Sequence, residues 1–107
     1  MVLGGAGAVG SIAIQLAKLL GCYVATTASS RNANYVKQFN PDKIVDYTIS
    51  KWWEDSELVG IDAILDAVGE AEVFQHSCLH NVVKKGGAFA SIVSALKVCT
   101  LTHWRTH

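Results

Sequence analysis

Gly5, Gly7 and Gly10 stand at GxGxxG spacing within Gly4-Gly5-Ala6-Gly7-Ala8-Val9-Gly10. Each glycine has a mechanical use: a tight turn, room for backbone to approach a pyrophosphate, and close packing of a helix on a strand. The chemistry this supports is anion binding, because N–H groups at the start of the following helix face a phosphate. A purely structural glycine turn is the competing reading, and the spacing alone is weakly specific. Its setting is informative: the apolar Met1-Val2-Leu3 precedes it and a helical pattern follows.

In a dinucleotide site of this kind, a carboxylate about 20 residues beyond the glycines grips the ribose diol of NAD. Ala28, Ser29, Ser30 and Arg31 occupy that place instead. Hydroxyls and a guanidinium suit the extra 2′-phosphate of NADP, which an acidic group would repel. The residues therefore point to NADP(H), the bland alternative being that Arg31 is a solvated turn residue.

Other constellations are weaker. Tyr47-Thr48-Ile49-Ser50-Lys51 spells YxxxK, a proton-donor pair when tyrosine and lysine lie one helical turn apart, but here it follows the third expected strand. His76 and His80 have a metal-ligand spacing without an evident third ligand, and a solvated helix face explains them. No metal site is expected. Gly5–Ser11 lacks the lysine of a nucleotide phosphate loop, and Ser91 and Ser94 lack a histidine–carboxylate pair. Trp52-Trp53 precedes Glu54, Asp55 and Glu57, an unfavourable setting for nucleic acid. Cys22, Cys78 and Cys99 are odd in number and show no CxxC spacing, so they are read as reduced thiols.

Several elements must position these residues. Val9, Ile12, Ala13, Leu16, Ala17 and Leu20 recur at helical spacing, so a helix with that stripe inward is expected, ending at Gly21. Strands are expected at Cys22–Thr27, Ile44–Tyr47, Ile61–Val68 and Ala88–Val93. Helices are expected at Ala33–Phe39 and over a segment carrying Val73, Phe74, Cys78, Leu79, Val82 and Val83, closed by Lys84-Lys85-Gly86-Gly87. Residues 50–59 are ambiguous. The alternation implies an α/β fold: a doubly wound parallel sheet, Rossmann-type, incomplete and of about five strands.

Size and composition fit one such domain. The chain has 107 residues, 50% hydrophobic and 17% charged, with nine Lys and Arg against nine Asp and Glu. A net charge of +0 leaves no footprint for nucleic acid or an acidic membrane surface. No apolar run reaches the roughly 18 residues of a membrane span, and no secretory signal opens the chain. A soluble, cytoplasmic protein is expected, any organelle-targeting segment lying before Met1.

Four stretches together resemble the medium-chain dehydrogenase/reductase superfamily, in its zinc-independent quinone oxidoreductase branch. They are Gly4–Gly10 continuing into Ala13-Ile14-Gln15-Leu16-Ala17-Lys18, Lys43–Thr48, Gly60–Gly69, and Lys84–Gly87. The resemblance implies hydride transfer from NADPH to a small quinone, enone or related carbonyl substrate. It implies that Gly7, Ala8, Val9 and Gly10 contact the pyrophosphate, and that Ser29, Ser30, Arg31 and Tyr47 contact the adenosine phosphate. Val68 and Gly69 would border the nicotinamide ribose, with Ser94 nearby. It assigns no catalytic side chain, and family members often dimerise through sheet edges.

The likeness covers Val2 to about Ser94, and residues 1–94 are read as a partial NAD(P)-binding Rossmann domain; residues 95–107 diverge and are expected to be a frayed tail. Family members add a barrel-like domain that forms much of the substrate pocket, and a strand-helix portion that completes the sheet. Neither is expected within these 107 residues. The alternative function is accordingly a truncated, non-catalytic dinucleotide-binding module without turnover. A methyltransferase is the third reading, disfavoured by the missing acid after strand two.

Overall fold

Strand, glycine turn and helix follow one another as the pattern predicts, in a computed structural model that describes residues 1–69, 81–91 and 97–100. Val2–Leu3 forms β1 and Ala8–Leu19 forms α1. Ala25–Ala28 is β2, Ala33–Lys37 is α2 and Lys43–Asp46 is β3. Ile61–Asp66 is β4, Val83–Ser91 is β5 and Lys97–Thr100 is β6. The ambiguous stretch holds one 3₁₀ turn, Trp52–Glu54. The chain divides into two units, Met1–Trp52 and Trp53–His107.

In the first unit β1 pairs with β2 and β2 with β3, all parallel. Val2, Ile14, Val24, Ala28 and Val36 form its core, with Ala6, Ala13, Ala17, Phe39 and Ile44 packed against them. Burying a side chain such as Ile14 contributes about 2–3 kcal/mol. The expected roll of α1 is corrected here. Val9, Ile12, Leu16, Leu19 and Leu20 are exposed, while Gly10, Ser11 and Ile14 are buried and Ala13 and Ala17 half-buried. The cause is close approach at Gly10: a Cβ built there would overlap the Gly4 carbonyl oxygen and lie 3.2 Å from Gly5 Cα. Because the helix must present Gly10 to the turn, Ile14, one turn on, goes to the core and the larger apolar residues turn outward.

Element ends also differ from the pattern. Gly21, at φ +79°, lets Cys22 N–H return to the Ala17 carbonyl at 3.0 Å, so Cys22 and Tyr23 close the helix and β2 starts later than expected. Phe39 N–H donates to the Val36 carbonyl in a tighter turn and Asn40 takes φ 57°, which ends α2 early. Asp42 ties these connections together. Its Oδ2 accepts Val24 N–H at 2.7 Å and Lys18 Nζ at 2.8 Å, joining the approach to β3 with β2 and α1.

In the second unit β4 and β5 are parallel, with Ala63↔Ala88 to Asp66↔Ser91 in continuous register. The expected helix lies mostly outside the described residues. Its supposed end is corrected: Val83–Gly87 belongs to β5, where the register jumps between Ile61↔Val83 and Ala63↔Ala88. Three extra residues on β5 form a bulge because Gly86 adopts φ +86°, and Lys84 of the bulge reaches back to Asp62 at 2.6 Å. The expected tail is also corrected at residues 97–100, which pair antiparallel with β5, Ala88↔Thr100 to Ser91↔Lys97. A β-rich alternation is enough to extend a sheet once an edge is offered, and β5 offers one. The architecture is the expected α/β Rossmann type, with an antiparallel strand added.

Two measurements check this account. Gly10→Ala should lower stability by about 3 kcal/mol in chemical denaturation, since the added methyl meets backbone that cannot swing aside. Acid should weaken the fold through Asp42, whose carboxyl is held below the usual range by the Lys18 ammonium and the Val24 N–H. A depressed folded value stabilises fully above the unfolded value, so the contribution is lost as pH falls below about 4. Asp42→Asn should flatten the acid limb of a stability–pH curve.

Candidate functional site

The first unit gathers its candidate residues at the carboxyl ends of β1, β2 and β3. Two threonines of β2 fasten the glycine turn. Thr26 Oγ1 donates to the Val2 carbonyl at 2.7 Å, while Gly4 N–H donates to Thr27 Oγ1 and Gly5 N–H to the Thr27 carbonyl, each at 3.0 Å. Gly5 is buried against the same strand: a Cβ there would overlap Thr26 Oγ1 and lie 2.9 Å from Ile14 Cδ1. Packing therefore demands glycine at positions 5 and 10.

Gly7 differs. Its φ of −77° and ψ of 168° suit any L residue, and a Cβ would come no closer than 3.5 Å to the Gly4 carbonyl oxygen, an ordinary contact. Neither conformation nor packing calls for glycine there. What a side chain would take is the exposed space before α1, a helix with no side-chain cap and no acid in its first turn. Such a start leaves backbone N–H groups and the positive end of the dipole for an incoming anion. Ala8 and Val9 are exposed beside it and Gly10 lies buried beneath.

Ser29, Ser30 and Arg31 follow β2 directly, Ser29 half-buried and the other two exposed. Tyr47 follows β3, which pairs with β2 through Ala28↔Asp46, and its side chain is exposed. The structure thus brings the expected residues of this unit to one edge. The place after β2 lacks a carboxylate, as the sequence indicates, but the adjacent strand brings one to the same edge. Asp46 comes from the end of β3 rather than β2, and Thr48 N–H and Oγ1 donate to its Oδ1 at 2.9 and 2.5 Å. Residues 47–51 are not helical, so Tyr47 and Lys51 do not form the stacked pair their spacing suggested.

In the second unit Val68 and Gly69 follow β4 and are exposed. Asp66, buried, organises them. Its Oδ1 accepts Val68 N–H at 3.0 Å and Gly69 N–H at 2.9 Å, and its Oδ2 accepts the Ser91 hydroxyl at 3.1 Å. Sequence reasoning took Asp66 as part of a strand. The available signal was an acid two and three residues before Val68-Gly69, the spacing of an Asx turn. Thr26 and Thr27 carried no such signal, being ordinary β-branched strand residues. Ser94, His76, Cys78 and His80 lie outside the described residues.

The chain is similar to known proteins. Residues 8–98 match a family model described as zinc-binding dehydrogenase. The chain is 35% identical over 92 residues to a trans-enoyl reductase, xenG, of Xenoacremonium sinensis, a match covering 83% of this chain and 25% of that one. The quinone oxidoreductase of Coxiella burnetii superposes with a TM-score of 0.70 at 33% identity, over 88% of this chain and 28% of that one. Mycobacterial Rv1454c, complexed with NADPH, gives 0.70 at 30% identity, over 85% and 29%. The chain spans about a quarter of the length of the curated relatives it matches. Among the described residues no group of three His, Cys, Asp or Glu side chains could hold a metal ion. Among those residues, too, no helix is long and apolar enough to cross a membrane.

Asp66 gives the direct test of the second unit's turn. Asp66→Ala leaves two backbone N–H groups and a hydroxyl without their acceptor and should cost about 3 kcal/mol by urea denaturation. Asp66→Asn keeps one oxygen for the N–H pair and turns an amide toward Ser91, which can accept. It should cost less than about half of that.

Proposed function

Since the chain belongs to the zinc-binding dehydrogenase family of medium-chain dehydrogenases and reductases, we propose that it is the NADPH-binding part of an oxidoreductase that reduces a quinone, an enone or a related carbonyl compound. The observation that carries this reading is Gly7. A glycine that neither packing nor backbone conformation requires, before a helix without a side-chain cap, is what close passage of a pyrophosphate requires. The bound cofactor supplies a hydride to the acceptor, which also takes a proton.

This chain's own residues bind and orient. The backbone of Gly7, Ala8 and Val9 offers N–H groups to the pyrophosphate, and buried Gly10 keeps α1 close enough for them to reach it. Ser29, Ser30, Arg31 and Tyr47 take the adenosine 2′-phosphate: the guanidinium as a charged fork, the hydroxyls as donors. In the second unit, the Val68–Gly69 turn held by Asp66 borders the nicotinamide ribose, and Ser94 follows β5. The reductases among its relatives support the reaction class, and the NADPH complex of one supports the cofactor.

A second reading has its own support. The chain corresponds to about a quarter of its relatives' length, and hydride transfer needs a pocket that excludes water as well as a cofactor. On that reading the 107-residue chain binds NADPH without turnover. The reductases among its relatives support a small-molecule substrate. A homodimer and a cytoplasmic setting are proposed from the sequence resemblance alone, and two of the relatives are named as mitochondrial.

Thermal unfolding with and without dinucleotide tests the reading. Saturating NADPH should raise the melting temperature more than NADH does, because binding to the folded chain stabilises it. Gly7→Ala should melt within about 1 kcal/mol of the parent, the loss of a favoured cap residue offsetting the lower chain entropy of alanine. It should lose most of the NADPH-induced shift. Equal shifts in parent and variant would overturn the role given to Gly7.

A further inference from the structure

The end of β3 carries a charged group that dinucleotide binding, as described so far, does not use. Asp46 is registered against Ala28 and therefore stands beside the start of Ser29–Arg31. Besides Thr48, Ser30 turns both its hydroxyl and its backbone N–H to this carboxylate. The Thr48 bonds, followed by those from Ser30, hold the Asp46 carboxyl below the usual range, so it is ionised at neutral pH.

Two consequences follow for a ligand reaching this edge. A 2′-phosphate must draw Ser30's donors away from Asp46 and approach a like charge, both of which weaken it. A 2′-hydroxyl has the opposite requirement: it needs an acceptor, and a carboxylate provides a charge-assisted one. The strand end that ordinarily supplies that acceptor is β2, where this chain has Ala28 and Ser29; β3 brings Asp46 to the adjacent place.

We propose that Asp46 is a specificity-determining residue, which opposes the 2′-phosphate of NADPH and accepts from the ribose 2′-hydroxyl of NADH, so that the chain takes NADH alongside NADPH. The proposal rests on the dinucleotide reading above. It narrows the preference proposed for Ser29, Ser30 and Arg31, because Ser30 already donates to Asp46.

The test is the ratio of dissociation constants for NADPH and NADH, measured calorimetrically on the 107-residue chain and on Asp46→Asn. The amide oxygen of the variant still accepts from Thr48, while an NH2 takes the place of the second oxygen, so the charge and one acceptor go with little change in size. NADPH should bind about tenfold more tightly to the variant and NADH less tightly than to the parent. Asp46→Ser, also uncharged, should move the ratio the same way and serves if the first variant melts early. Ser30→Ala should weaken NADPH more than NADH. An unchanged ratio in the charge variants, or a move toward NADH, overturns the assignment of Asp46 while leaving dinucleotide binding intact. Failure of the parent to bind either dinucleotide overturns the dinucleotide reading, and this assignment with it.

Discussion

The contact between Gly10 and the Gly4 carbonyl is the constraint on which the first unit depends. No side chain fits between them, so α1 is pinned to the turn at its second residue past Ala8 and its roll about its own axis is set there. That roll sends Ile14 into the core with Val2, Val24, Ala28 and Val36, and turns Ile12 and Leu16 outward. It also fixes where the first-turn N–H groups face. Thr26 and Thr27 hold the other side of the turn by three hydrogen bonds, two of them from turn N–H groups, so the backbone before the helix has little freedom left. A site built this way is preorganised, which lowers the ordering cost that a ligand would otherwise meet.

Within the glycine motif the three positions separate by cause. Gly5 and Gly10 are required by close packing, and Gly7 is not. A motif match alone treats them as equivalent. The structure shows that close packing requires two of them, while the third is an exposed helix cap that packing leaves free. This is the physical link between sequence, fold and the proposed cofactor role, and it is independent of the family match.

Much of the architecture was legible in the sequence because strand and helix periods alternate cleanly over residues 1–66. What was not legible has identifiable reasons. The inward face of α1 was misread because apolar size outweighs glycine in a periodicity argument, whereas in the fold the close approach at Gly10 outweighs size. Lys84-Lys85-Gly86-Gly87 carries the marks of a helix end, yet the same glycine freedom builds a strand bulge. Residues 97–100 have no successor in sequence, and an antiparallel partner is a long-range fact that local pattern does not contain. The glycines and Ser29–Arg31 were visible as candidates through spacing. Asp46 and Asp66 were not, because their importance lies in which backbone N–H groups and hydroxyls reach them.

The central claim is that the start of α1 receives a pyrophosphate, and backbone amide shifts on titration with NADPH test it most directly. The account predicts large, saturable changes at the N–H groups of Gly7, Ala8 and Val9, with Lys84 and Lys85 of the β5 bulge unmoved. Saturable binding that leaves Gly7, Ala8 and Val9 unchanged would contradict it.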